Sequence, residues 1–171
     1  MRSLRGDSMK TVVVTAYSSG CHNTSKAYRA ILDLIKDPVV IECDESTFSG
    51  CTGCKGCYLT RKCVKKDIVS SVQGFTDIVI ISPVYFFGIC SSVMRFVERL
   101  YSRDLDGVKF HILLFTGSSG LFSGIQVVQS QFALIDEYCG SSTSIHQIVT
   151  GDDIVFDRSM AESFVAEEGI E

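Results

Sequence analysis

Apolar residues along this chain fall into short unbroken runs, and between the runs they recur at helical spacing. Thr11–Thr15 is β-branched throughout, which favours a strand, and after a polar turn Ala27, Ala30, Ile31, Leu34 and Ile35 form a helical stripe. Residues 38–42 predict a second strand, followed by a long cysteine-bearing loop and a short helix over 67–73. The order then repeats. Residues 77–82 make a continuous apolar strand, and past 83–88 come Ile89, Val93, Phe96, Val97 and Leu100 on one helical face. Residues 110–115 predict a strand, 116–120 a Gly/Ser turn, and Leu121, Ile125, Val128, Phe132, Ile135 and Cys139 another stripe. A fifth strand is expected at 144–149, and the acidic segment from 151 onward predicts at most a short surface helix.

Strands without polar alternation are buried on both faces, as in a parallel sheet covered by helices. Right-handed crossovers then give a three-layer α/β sandwich. The expected organisation is a flexible extension over 1–9, one domain over 10–150 that includes a cysteine-rich loop at 43–66, and a surface segment over 151–171.

The 171 residues suit a single domain, and 46% hydrophobic content supplies a core. With 16 basic and 20 acidic side chains, net charge −4, the chain has no basic face for a phosphate backbone, so nucleic acid is not an expected partner. The apolar runs fall well short of the roughly 18 residues of a membrane span, and residues 1–9 have no apolar core of signal-peptide length. A soluble, cytoplasmic protein is expected. In a reducing compartment the cysteines favour metal or redox roles over structural disulfides.

The densest chemistry is Cys51-Thr-Gly-Cys54-Lys-Gly-Cys57-Tyr-Leu-Thr-Arg-Lys-Cys63. This C-x2-C-x2-C-x5-C spacing brings four thiols within reach of one small inorganic centre. Gly53 and Gly56 let the backbone turn tightly so that N–H groups can point at sulfur, as an iron–sulfur cluster requires. The same spacing also serves zinc, disulfides, or free redox-sensitive thiols.

Three loops that follow strands should converge beyond the carboxyl ends of the sheet. Ser18, Ser19, Gly20, Cys21, His22, Asn23 and Thr24 offer hydroxyls and backbone N–H groups at a helix N-terminus, suited to a phosphate or, more simply, to an N-cap. Pro83, Val84, Tyr85, Phe86, Phe87 and Gly88 set aromatic rings beside an extended backbone, which could line a flat heterocycle or belong to the core. Thr116, Gly117, Ser118, Ser119 and Gly120 supply donors for ring oxygens and nitrogens, or only a turn.

Tyr17-Ser-Ser-Gly-Cys-His-Asn-Thr24 resembles the FMN phosphate loop of flavodoxin-like proteins. Ser82-Pro-Val-Tyr-Phe-Phe-Gly88, followed by Ser91-Ser-Val-Met-Arg-Phe-Val-Glu-Arg99, is similar to the flavin-ring segment of NAD(P)H-dependent FMN reductases. With Cys51–Cys63 between them, the chain resembles the iron–sulfur flavoprotein branch of that family over residues 10–150. The resemblance implies a flavodoxin-like sandwich with five parallel strands in the order 2-1-3-4-5, FMN at the sheet edge, and homodimers or homotetramers. It also implies a [4Fe-4S] centre on Cys51, Cys54, Cys57 and Cys63 near a neighbouring subunit's flavin. The phosphate loop departs from the family pattern: it has no arginine, and Cys21 and His22 stand where a hydroxyl residue and glycine are usual.

The expected function is that of an FMN redox protein taking electrons from NAD(P)H or a ferredoxin-type donor and passing them to a small-molecule or protein acceptor. The rival is a non-catalytic electron carrier or a redox- or metal-sensing module. Cys90 and Cys139 are expected as buried small hydrophobes, Cys43 as a free thiol, His111 and His146 as structural residues, and Arg95, Glu98 and Arg99 in surface pairs.

Overall fold

A computed structural model describes residues 10–16, 22–44, 49–60, 62–66, 74–100, 104–150 and 155–170. The strands are β1 (Thr11–Thr15), β2 (Val39–Glu42), β3 (Asp77–Tyr85), β4 (Gly88–Ile89), β5 (Lys109–Thr116) and β6 (Ser142–Val149). The helices are α1 (His22–Leu32), α2 (Gly56–Thr60), α3 (Ser91–Leu100), α4 (Ile125–Cys139) and α5 (Arg158–Glu168), with a 3-10 turn at Gly120–Ser123. Five strands pair in parallel in the order β2-β1-β3-β5-β6, the expected 2-1-3-4-5 arrangement. The sixth, β4, is a two-residue antiparallel return on β3. The expected extension at 1–9 and helix at 67–73 lie outside the described residues.

Successive strand residues face opposite sides, so the same runs supply two cores. Val12, Val14, Ile78, Ile80, Ile112 and Leu114 pack with Phe96 of α3 and with Val128 and Phe132 of α4. Val13, Val79, Ile81 and Leu113 pack on the other face with Ala27 and Ile31 of α1 and with Ala161 and Phe164 of α5. No helix among the described residues is long and apolar enough to cross a membrane.

Three local expectations are corrected. Pro83 and Val84 belong to β3 rather than to a loop, and Pro83 stands in register with Phe115. The last β1–β3 pair is Thr15 with Ile81, so proline's missing N–H falls where β1 has already ended. Leu121 leaves the helical stripe: it is exposed in the 3-10 turn, and α4 begins only at Ile125. The C-terminal segment is more than a surface piece. Asp157 Oδ1 accepts from Met160 N at 3.0 Å to cap α5, whose Ala161 and Phe164 are buried with Phe156 and Ile170.

A polar cluster fastens α5 to the sheet. Nε2 of His111, a residue only 3% exposed, lies 2.8 Å from Asp77 Oδ1, and its Nδ1 lies 2.6 Å from Glu168 Oε2. Ionised carboxylates only accept, so the doubly protonated imidazolium is the form of the ring that satisfies both contacts. Burial opposes that charge, but the two hydrogen bonds outweigh it and hold the histidine pKa above its ordinary value. Ser144 Oγ and His146 Nε2 also reach the Glu168 carboxylate.

Candidate functional site

The chain passes from β1 to β2 on one side and then to β3 on the other, so a crevice opens beyond the carboxyl ends of β1 and β3. α1 starts at this edge. Ser18, Ser19, Gly20 and Cys21 lie outside the described residues, as does the side chain of His22. Thr24 is buried in the first turn of α1, and Asn23 Oδ1 accepts from Phe156 N at 3.1 Å, tying α1 to the approach of α5.

Beside that crevice Val84 pairs with Ile89 and Tyr85 with Gly88, leaving Phe86 and Phe87 as a two-residue hairpin loop. Both have left-handed backbones, at φ 48° and 65°. Such turns usually take Asn and Gly, and a bulky residue there costs roughly 1–2 kcal/mol. Phe86 is also 97% exposed, so the strained backbone presents an aromatic ring to open space. Ser82 Oγ braces the hairpin by accepting from Cys90 N at 3.3 Å.

The loop after β5 comes to the same place. Gly124, at φ 74°, lies so close to Phe87 that an added Cβ would stand 2.6 Å from its backbone. Thr116 is buried, and its Oγ1 donates to Ser118 O at 2.9 Å while accepting from Gln147 Nε2 at 2.7 Å. Gly117, Ser119 and Gly120 are exposed, and a Cβ on Gly88 or Gly117 would meet nothing within 4 Å. An edge with open backbone and solvent-facing aromatic rings offers a flat heterocycle an apolar face and polar backbone groups.

The four spaced cysteines line one cavity of about 440 Å³, walled also by Tyr58, Val64, Lys65, Glu98 and Arg99. All four are free thiols. Gly53, at φ 66°, turns its N–H onto Cys51 Sγ at 3.4 Å, and Arg99 Nη2 donates to Cys63 Sγ at 3.4 Å. Among the described residues no three His, Cys, Asp or Glu side chains stand close enough to hold a single metal ion. One zinc needs every sulfur at about 2.3 Å. Four thiols around one cavity, with N–H donors on two of the sulfurs, are a donor set of the kind that iron–sulfur centres use. Cys43 is separate: burial, then neighbouring Cys90 and Asp44, push its pKa up to about 12, so it stays a protonated thiol.

Arg99 corrects the expectation of a surface pair. It is 2% exposed, and its Nη1 donates to Ser49 O at 3.4 Å while Nη2 reaches Cys63. Glu98 Oε2 accepts from Cys51 N at 3.3 Å. The signal was present in the sequence, because Arg99 follows Phe96 at helical spacing on the face that Val93, Val97 and Leu100 bury. Gln147 and Gly124 were also missed, since their roles depend on contacts between distant segments. The cavity lies along the last turn of α3, roughly 12 Å of helix from Ser91 beside the aromatic turn.

No family model and no curated protein matches the chain. Solved structures do. A Streptococcus pneumoniae flavodoxin aligns at TM-score 0.58 and 16% identity over 94% of this chain and 97% of its own. An NAD(P)H:quinone oxidoreductase from Methanothermobacter marburgensis aligns at 0.58 and 13% over 94% of both chains. An FMN-dependent NADH-azoreductase from Bacillus anthracis, in complex with FMN, aligns at 0.56 and 12% over 94% of this chain and 95% of its own. Together with the strand order, these likenesses identify the fold as flavodoxin-like.

Proposed function

We propose that this protein is an FMN-dependent oxidoreductase that takes electrons from NAD(P)H, with the flavin at the β1/β3 crevice. The observation that carries this reading is the Phe86–Phe87 turn, where two left-handed aromatic residues are exposed and the Phe87 backbone abuts Gly124, at the end of the loop that follows β5. Strain retained at a ligand edge has a functional rationale that an ordinary hairpin lacks. Tyr85, Phe86 and Phe87 would bound the ring, Thr116–Gly120 backbone would meet its polar edge, and the α1 N-terminus with 18–24 would hold the phosphate. When bound, FMN supplies acceptance of two electrons from a nicotinamide and their release one at a time. The fold likeness to a quinone oxidoreductase and an azoreductase supports this class.

In this reading Cys51, Cys54, Cys57 and Cys63 hold a [4Fe-4S] centre that carries single electrons onward to a small-molecule or protein acceptor. The shared cavity and the N–H donors to two of the sulfurs support it. Assembly as a homodimer or homotetramer is part of the proposal, supported by exposed Phe86, Leu121 and Phe122 near the flavin edge and by Leu134 and Tyr138 on α4. The likeness to a flavodoxin favours a second reading, a carrier without turnover of its own. Steady-state NADH and NADPH oxidation by FMN-loaded protein, with a quinone acceptor, separates the two. Sustained turnover supports the oxidoreductase; flavin bound without turnover supports the carrier.

A further inference from the structure

Arg99 is a buried cation built into the wall of the cysteine cavity. Its α3 backbone is fixed by the neighbouring core residues Phe96, Val97 and Leu100, and its guanidinium reaches the cysteine segment through two nitrogens, to Ser49 O and to Cys63 Sγ. A guanidinium hydrogen bond to sulfur is strongest when the sulfur is a thiolate, and a sulfur ligated to metal carries that charge. We propose that Arg99 is the positioning and charge-compensating residue of the cysteine site, holding Cys63 in place and raising the reduction potential of the centre bound there. The proposal rests on the iron–sulfur reading of this cavity.

The physical reason lies in the charge change. A centre held by four thiolates is anionic, and reduction adds one electron with no bond broken and no proton moved. A fixed cation that also donates a hydrogen bond to a ligand sulfur stabilises the reduced form more than the oxidised one, so the potential rises. Lysine is a poor substitute, because one ammonium on a flexible stem does not reproduce the planar fork that spans Ser49 O and Cys63 Sγ. Glu98, whose carboxylate accepts from Cys51 N, fixes the opposite end of the segment without offering a cation.

The test uses full-length protein purified anaerobically as wild type, Arg99→Gln and Arg99→Lys. Iron, acid-labile sulfide and FMN are assayed, and the cluster is titrated with dithionite under electron paramagnetic resonance. Arg99→Gln should lower the midpoint by about tenfold in the reduction equilibrium, about 59 mV for one electron, with FMN content unchanged. Arg99→Lys should fall between, since it keeps charge and loses the fork. An unmoved midpoint in a cluster-bearing Arg99→Gln overturns the role of Arg99 and leaves the cluster reading intact. If circular dichroism shows that Arg99→Gln does not fold, Arg99→Lys decides alone, a lowered midpoint supporting the proposal and an unmoved one overturning it. Wild type that takes up neither iron nor sulfide overturns both.

Discussion

His111 Nδ1 meets Glu168 Oε2 at 2.6 Å, joining the middle of the sheet to the last turn of the C-terminal helix. With Asp77 on the other ring nitrogen, the imidazolium bridges two carboxylates, and its loss would leave both facing each other across a mostly buried space.

Stability should therefore depend on pH in two limbs. Folding raises the His111 pKa, so that contribution is complete below about pH 6.5 and is lost as pH climbs through the folded value. Folding lowers the Asp77 and Glu168 pKa values, because hydrogen bonds from His111, with Thr76 or with Ser144 and His146, outweigh burial. Those contributions are complete above roughly pH 4.5 and are lost as pH falls. Lys109 acts on Asp77, and Glu167 stands 3.9 Å from His146 at the cluster's edge. Urea unfolding across pH should place the cluster's greatest contribution between about 4.5 and 6.5. In His111→Gln stability should fall by about 3 kcal/mol and the alkaline limb should disappear. An unchanged alkaline limb would remove His111 from this role.

Gly124→Ala should destabilise the fold and disturb the ligand edge together. The added methyl enters a left-handed backbone and meets the Phe87 main chain at 2.6 Å, where no side-chain rotation relieves it. The cost is at least about 1–3 kcal/mol. Chemical denaturation measures it, and a loss below about 0.5 kcal/mol would mean that the approach of α4 to Phe87 is looser than described.

Phe86→Asn should separate stability from binding. Asparagine tolerates the left-handed turn, so the variant should gain about 0.5–1 kcal/mol by relief of strain. It should also bind FMN up to about tenfold more weakly, the upper range for one aromatic contact. If both quantities hold constant, the exposed ring has no part in the site.

Cys57→Ser should lose iron and sulfide while keeping FMN, because the cysteine cavity and the aromatic turn are built from different segments. Metal analysis beside flavin absorbance checks this. Loss of both cofactors together would argue that the two sites are one structural unit.

Much of the fold was legible because its strands are uniform apolar runs and its helices carry clear stripes. Both signals are local, and the parallel order followed from them through a resemblance. What was not legible depended on partners distant in sequence. Arg99 read as an exposed charge until Cys63 and Ser49 folded over it. The C-terminal segment read as surface because its apolar residues are sparse, and only packing on α1 and β5 shows that Phe164 and Ala161 complete a core. The aromatic residues of 83–88 stood out by composition, but their left-handed backbone depends on a hairpin that neither Asn nor Gly announces in the two-residue loop.

The central claim is that the crevice edge formed by the aromatic turn and the 116–120 loop binds FMN. Titrating flavin-free protein with FMN and following flavin fluorescence tests it most directly, with Phe86→Asn beside wild type and riboflavin as the ligand lacking phosphate. The account predicts saturable one-to-one binding that weakens when either the ring at Phe86 or the phosphate is removed. Folded wild-type protein that shows no saturable FMN binding would contradict it.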